Sequence, residues 1–271
     1  MEKEIYLGLY LGGIKKDKSS LLVLESYKGQ NKLVISNIDS KFKNAKVESF
    51  PDEILKKQIK HYKNVKLIGA SFPLTPPPCL PCKLNCPGVN KCQVTEVKWM
   101  VREYKKASKL SKVSSKDRSI PSPYSERGLD YFTANLLEEK FPLEPAFGPT
   151  RSAFYARGQF LMKGLKGYKF VEVSTRASLW RLGLKYDLRK SVLRNFYRSE
   201  KSEEHRELFL NKLEKDFFLY EEDKDLLIGN KFIFEALICA LSAYFFSKKM
   251  VETVPPQISH PKNKFALPID N

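Results

Sequence analysis

Four of the five cysteines in this 271-residue chain fall in one stretch, Cys79, Cys82, Cys86 and Cys92, within CLPCKLNCPGVNKC. Thiolates separated by two, three and five residues can converge on a single metal ion, and Gly88 gives the backbone freedom to wrap it. A closed tetrahedral Zn²⁺ site of this kind is structural rather than catalytic. An iron–sulfur cluster on the same thiolates is the rival reading, and four reduced thiols on a loop is the plain one. In a reducing compartment such a cluster reads as metal before disulfide. The fifth cysteine, Cys239, sits in an apolar run and reads as core.

Elements that would position this loop follow from hydrophobic pattern and turn residues. Residues 5–11, 20–27 and 33–37 read as an antiparallel meander, with turns at Gly12-Gly13 and around Gly29. Pro51-Asp52-Glu53 opens a helix running to about residue 62. A fourth strand over 65–71 follows, so the cysteine loop lies directly behind a strand end. Residues 75–123 read as an insertion: cysteine loop, a helix over 95–109 and a Ser/Lys linker.

Further helices are expected over 125–140 with Ser125 as N-cap, and over 152–164, 189–197 and 203–216. Residues 170–173 read as a strand, 232–248 as a buried helix, and 265–269 as an edge strand. The expected architecture is α/β, one domain over 1–271, with the opening order β-β-β-α-β that ribonuclease H-like proteins share with sugar-kinase-type ATPases.

The composition, 42% hydrophobic and 29% charged, is that of a folded chain and not of a disordered one. A net charge of +17 favours polyanionic partners, nucleic acid first. The excess is mostly lysine spread along the chain, a pattern that coding bias also produces. The N-terminal apolar run is too short for a signal peptide, and the run over 232–246 is shorter than a bilayer and contains Glu235. A cytoplasmic protein without a membrane span is the expectation.

The blocks YLGLYLGG, IGASFPLTPPPC, PSPYSERG, AFGPTRSAFYARGQFL, FVEVSTRASLWRLG and FEALICALSAY occur in order from Tyr6 to Tyr244. Together they resemble a family of predicted nucleases with a ribonuclease H-like fold. The resemblance implies Mg²⁺- or Mn²⁺-dependent phosphodiester hydrolysis by carboxylates gathered at strand ends. Two of the four positions depart from the family pattern. Tyr10 stands in Gly8-Leu9-Tyr10 where the family has aspartate, and Ser71 stands before Phe72-Pro73-Leu74 where it has another. Glu172 is kept, and Glu235 replaces aspartate with a longer carboxylate.

Two-metal hydrolysis needs several converging carboxylates, and tyrosine and serine ligate Mg²⁺ poorly. The resemblance therefore implies a member with weakened or absent catalysis, Glu172 and Glu235 being the remaining candidate ligands and Asp17 an uncommitted third. Arg151 and Arg157, near a helix start, are candidate phosphate contacts, with Arg127 a weaker one. Alternatively each is paired to a carboxylate. Trp99 and Trp180 read as core anchors. The alternative function is a non-catalytic scaffold or regulator that uses the four-cysteine loop for interaction. A phosphotransferase is disfavoured because no second phosphate loop appears in the C-terminal half.

Overall fold

A three-stranded antiparallel meander opens the chain: β1 (Lys3–Tyr10), β2 (Ser20–Tyr27) and β3 (Leu33–Ser40). The computed structural model describes residues 3–13, 18–30, 32–40, 42, 50–110, 120–137, 144–149, 151–198, 200–260 and 264–270, with residues 107–110 described by backbone alone. Helix α1 (Pro51–His61) then returns the chain to β4 (Val65–Ala70), which pairs parallel to β1. The proline at its first position and Asp52 and Glu53 in its first turn suit the free N–H groups there.

The remaining helices are α2 (Thr95–Leu110), α3 (Gly128–Leu136), α4 (Arg151–Gly164), α5 (Thr175–Lys185), α6 (Lys190–Arg194), α7 (Ser202–Leu213), α8 (Glu221–Gly229) and α9 (Lys231–Ser247). Two short strands, β5 (Phe170–Glu172) and β6 (Phe217–Phe218), complete one mixed six-stranded sheet in the order β5-β4-β1-β2-β3-β6. The fold is thus α/β, a mixed sheet flanked by helices.

The chain forms two compact units. The first comprises Met1–Phe72, Gly158–Glu252 and Phe265–Asn271, and the second Pro73–Arg157 with Thr253–Lys264. The whole sheet belongs to the first, and α9 is its central helix. Nearly every face of α9 is buried, including Ile233, Phe234, Leu237, Ile238 and Leu241, as its apolar sequence requires. Asn230 starts it by accepting hydrogen bonds from the N–H groups of Phe232 (2.9 Å) and Ile233 (3.4 Å).

Two glycines let α9 lie directly on the sheet. Gly8 and Gly69 stand opposite one another in the β1–β4 register. A Cβ on Gly8 would fall on the Ala236 carbonyl and Ala240 amide, and one on Gly69 on the Cys239 carbonyl. Beside α9, Phe196, Phe209 and Phe234 pack edge and tilted at centroid distances of 5.4–6.4 Å. Among the described residues no single helix is long and apolar enough to cross a membrane.

The second unit is built on buried polar groups. Arg127 and Asp130 pair at 2.7 Å (Nη2 to Oδ1). Asp130 Oδ2 also accepts the N–H groups of Arg127 (2.9 Å) and Ala146 (3.1 Å). Glu96 accepts the Gly128 N–H at 2.7 Å. Burial pushes the Glu96 carboxyl above its usual range, while the Gly128 amide and the Arg127 charge oppose that shift.

Several expected boundaries need correction. Helix α3 starts at Gly128 and not near Ser125, because Arg127 occupies the N-cap and Asp130 binds its N–H, whereas Ser125 lies in the preceding turn. The segment 265–269 makes isolated bridges, Glu172 to Phe265 and Val251 to Pro268, in place of a full edge strand. Residues 111–119 of the Ser/Lys linker, residues 138–140 of the helix expected over 125–140, and Asp17 lie outside the described residues.

Candidate nucleic-acid interface and the strand-end residues

Tyr10, Ser71 and Glu172 stand at the C-terminal ends of three neighbouring strands, β1, β4 and β5, within the first unit. The register sets Leu9 beside Ala70 and Ala70 beside Glu172. Side chains alternate across a sheet, so Tyr10 shares the α9 face with Gly8, two residues earlier. Glu172 shares the opposite face with Leu9 and Ala70. Glu172 is 2% exposed and Glu235, one helical turn past Phe232 in α9, is 8% exposed. The two carboxylates thus approach the same end of the sheet from opposite faces.

Tyr10, the first position where the resemblance implies an acid, packs against an aromatic ring. The Tyr10 ring lies 5.5 Å from the Phe232 ring, tilted by 32°. Lys18 Nζ and Lys231 Nζ lie 5.1 and 5.2 Å from the Phe232 ring centroid. The second position is a structural hydrogen bond: Ser71 Oγ accepts the Leu11 N–H at 3.2 Å, and the Ser71 N–H donates to the Leu9 carbonyl at 3.0 Å. Ser71 therefore extends the β1–β4 pairing beyond the end of β4.

A Mg²⁺ or Mn²⁺ pair does not fit this donor set. It would need several carboxylate oxygens on one side of the strand ends. Among the described residues, what stands there on the α9 side is the Tyr10 phenol, the Phe232 ring with two ammonium groups close to it, and a single carboxylate, Glu235, while strand alternation sets Glu172 on the other face.

In the second unit, Arg151 Nη1 donates to the Glu144 carbonyl at 3.2 Å and approaches Glu144 Oε2 at 3.4 Å, while Arg157 is buried. Arg127 is held inside by Asp130 and by the Thr75 carbonyl, to which Nη1 donates at 3.4 Å. Trp99 and Trp180 are buried in the cores of the second and first units respectively.

The cysteine loop also lies in the second unit. Cys79 and Cys92 are partly buried, Cys82 and Cys86 exposed, and Cys239 is buried in α9. Among the described residues no group of three His, Cys, Asp or Glu side chains is spaced to hold a metal ion. Burial, followed by the charges of Cys92, Cys86 and Cys82, raises the Cys79 thiol above its usual range, so all three act electrostatically on it. Cys92 closes a single 3₁₀ turn (Val89–Lys91), its N–H donating to the Val89 carbonyl at 3.3 Å.

That turn forms one side of an open cleft of about 430 Å³. Helix α2 supplies the other side with Lys98, Arg102, Lys105 and Lys106, and Val89 and Val101 add apolar surface to the lining. The four cations follow i, i+4, i+7 and i+8 spacing, which places them on one helical face. Among the described lining residues there is no carboxylate. Glu103, outside the lining, bonds Lys106 at 3.0 Å and Arg102 Nε at 3.4 Å and offsets part of their charge.

Sequence reasoning missed this cleft, although its residues were in view. Their helical spacing was the available signal, obscured by the abundance of lysine elsewhere. Comparison of the chain with family models, curated proteins and solved structures finds no match.

Proposed function

We propose that this protein binds nucleic acid without cutting it, as a ribonuclease H-like member of the predicted-nuclease family whose strand-end acids have been replaced. The observation that carries this reading is the basic cleft along α2. From Lys98 to Lys106 the helix rises about 12 Å, enough to face several consecutive phosphates. The apolar lining at Val89 and Val101 suits sugar and base surface.

The sheet supports the family assignment by its order. Three antiparallel strands are followed by two parallel ones added beside β1, β4 and then β5. That is the arrangement expected of a ribonuclease H-like domain. The Tyr10–Phe232 contact and the Ser71–Leu11 hydrogen bond support loss of metal-dependent chemistry, because each gives a former ligand position a packing role.

A scaffold role is the second reading, and one observation favours it. Leu80 and Leu84 on the cysteine loop are 54% and 64% exposed, a surface that a protein partner would cover.

End-labelled single-stranded DNA and RNA oligonucleotides, incubated with the protein in Mg²⁺ or Mn²⁺, test the proposal. Salt-sensitive binding with intact strands is the expected result. Metal-dependent scission abolished by Glu235→Gln would show a working hydrolase, and absence of binding at low salt would leave the scaffold role.

A further inference from the structure

We propose that Cys79, Cys82, Cys86 and Cys92 bind one Zn²⁺ as four thiolates, closing residues 79–92 into a metal-held loop that forms a wall of the basic cleft. The metal site stands independently of the nucleic-acid reading; only its consequence for the cleft rests on that reading.

The first argument is what holds the loop. Residues 80–88 are all exposed, and between the turn at Leu80 and the 3₁₀ turn no described backbone hydrogen bond fixes the chain. A segment of this length ordered without a core or a ladder needs another source of order, and a metal cross-link supplies one. Prolines at 81 and 87 reduce the freedom lost on closure.

The second argument is where the sulfurs stand. Cys79 is tied down by its N–H bond to the Pro123 carbonyl at 3.1 Å, and Cys92 by the 3₁₀ turn, where Lys91 N–H meets the Gly88 carbonyl at 3.1 Å. Gly88 carries a positive φ of 86°, the conformation glycine adopts at least cost. Cys79 and Cys92 are therefore the two anchored, partly buried thiols, and the exposed Cys82 and Cys86 lie on the segment between them. The described side chains are not at metal-holding spacing, so binding has to gather the four thiols by closing the segment between the two anchors. Four S–H protons leave to solvent, and Zn²⁺ with four thiolates carries a net charge of −2, which Lys83 and Lys91 on the same loop can offset.

Zinc is favoured over an iron–sulfur cluster by the exposure of Cys82 and Cys86. A cluster held there would meet solvent and oxidants, whereas Zn²⁺ has no redox chemistry.

The test uses the full-length protein without nucleic acid. Metal analysis should give one zinc per chain, and Co²⁺ replacement should give the intense visible d–d absorption of a tetrahedral tetrathiolate. Cys82→Ser and Cys86→Ser alter exposed positions and leave the cores untouched. Each should weaken zinc binding by at least about tenfold, in the range where loss of a ligand exceeds loss of a supporting group. Four freely titrating loop thiols after equilibration with zinc would overturn the proposal. So would iron with acid-labile sulfide, or Co²⁺ spectra unchanged in both variants.

Discussion

The Tyr10 ring rests 5.5 Å from the Phe232 ring, and the ammonium groups of Lys18 and Lys231 lie about as close to that same phenyl group. A carboxylate introduced at position 10 would therefore stand beside a ring that two cations already flank. Tyr10→Asp combined with Ser71→Asp should remain unable to cut a labelled oligonucleotide in Mn²⁺. Among the described residues the new acids join only Glu235 on the α9 side, where Lys18 and Lys231 flank the Phe232 ring, and Glu172 stays on the opposite face. Scission by the double variant, absent from the parent, would show that the four positions still share one metal site.

Gly8 and Gly69 carry the contact between the sheet and α9. Gly8→Ala drives a methyl group into the Ala236 carbonyl and Ala240 amide, both backbone, so the helix must move as a whole. Overpacking of this kind costs about 3 kcal/mol. Urea unfolding should show that loss for Gly8→Ala, while Gly13→Ala, which meets nothing, should change stability by under about 0.5 kcal/mol.

Arg127 and Asp130 form the buried ion pair of the second unit, and Asp130 also binds two backbone amides. Removing one partner leaves the other charged and buried. Asp130→Ala should destabilise by about 3–5 kcal/mol, seen as earlier denaturant unfolding or faster proteolysis within residues 73–157. Arg127→Met should cost as much, since the Asp130 carboxylate would then lack its cation.

Glu4 joins β1 to β4 and to the end of α9 through Lys66 (2.9 Å), Tyr6 (2.7 Å) and Lys248 (3.2 Å). The Lys66 hydrogen bond, then that from Tyr6, lowers its pKa from the usual 4.5 to about 2. A depressed carboxylate stabilises the fold fully above its unfolded value. That contribution fades as pH falls from about 4.5 toward 2. NMR titration of the Glu4 carboxyl should give a midpoint near 2, and Glu4→Gln should flatten this part of the acid-stability profile. A midpoint near 4.5 would refute the arrangement.

Much of the first unit could be read from residues alone, because its signals are local. The meander strands are apolar runs bounded by glycine turns, α1 opens on Pro-Asp-Glu, and α9 is a long, mostly apolar run. Helix α5 was hidden by Ser178 and Gly183, which weaken a helical pattern. A Cβ at Gly183 would press on the Leu193 side chain of α6, a tertiary contact the local pattern does not carry. Strand β6 is two residues long and exists through pairing with Leu33 and Val34. The face taken by Glu172 depends on the β4–β5 register, which no single strand encodes. For Arg127 the sequence offered a weak phosphate contact or a carboxylate partner, and the structure shows the partner to be Asp130, three residues on across a helix start the sequence did not mark.

The claim that α2 is a nucleic-acid-binding surface is tested most directly by fluorescence anisotropy of a labelled single strand over a range of salt. The parent protein should lose affinity steeply with log salt. The Lys98→Gln, Arg102→Gln, Lys105→Gln variant should bind more weakly, with its slope reduced by about 0.7 for each phosphate it no longer neutralises. An unchanged affinity and slope in the triple variant would contradict the account.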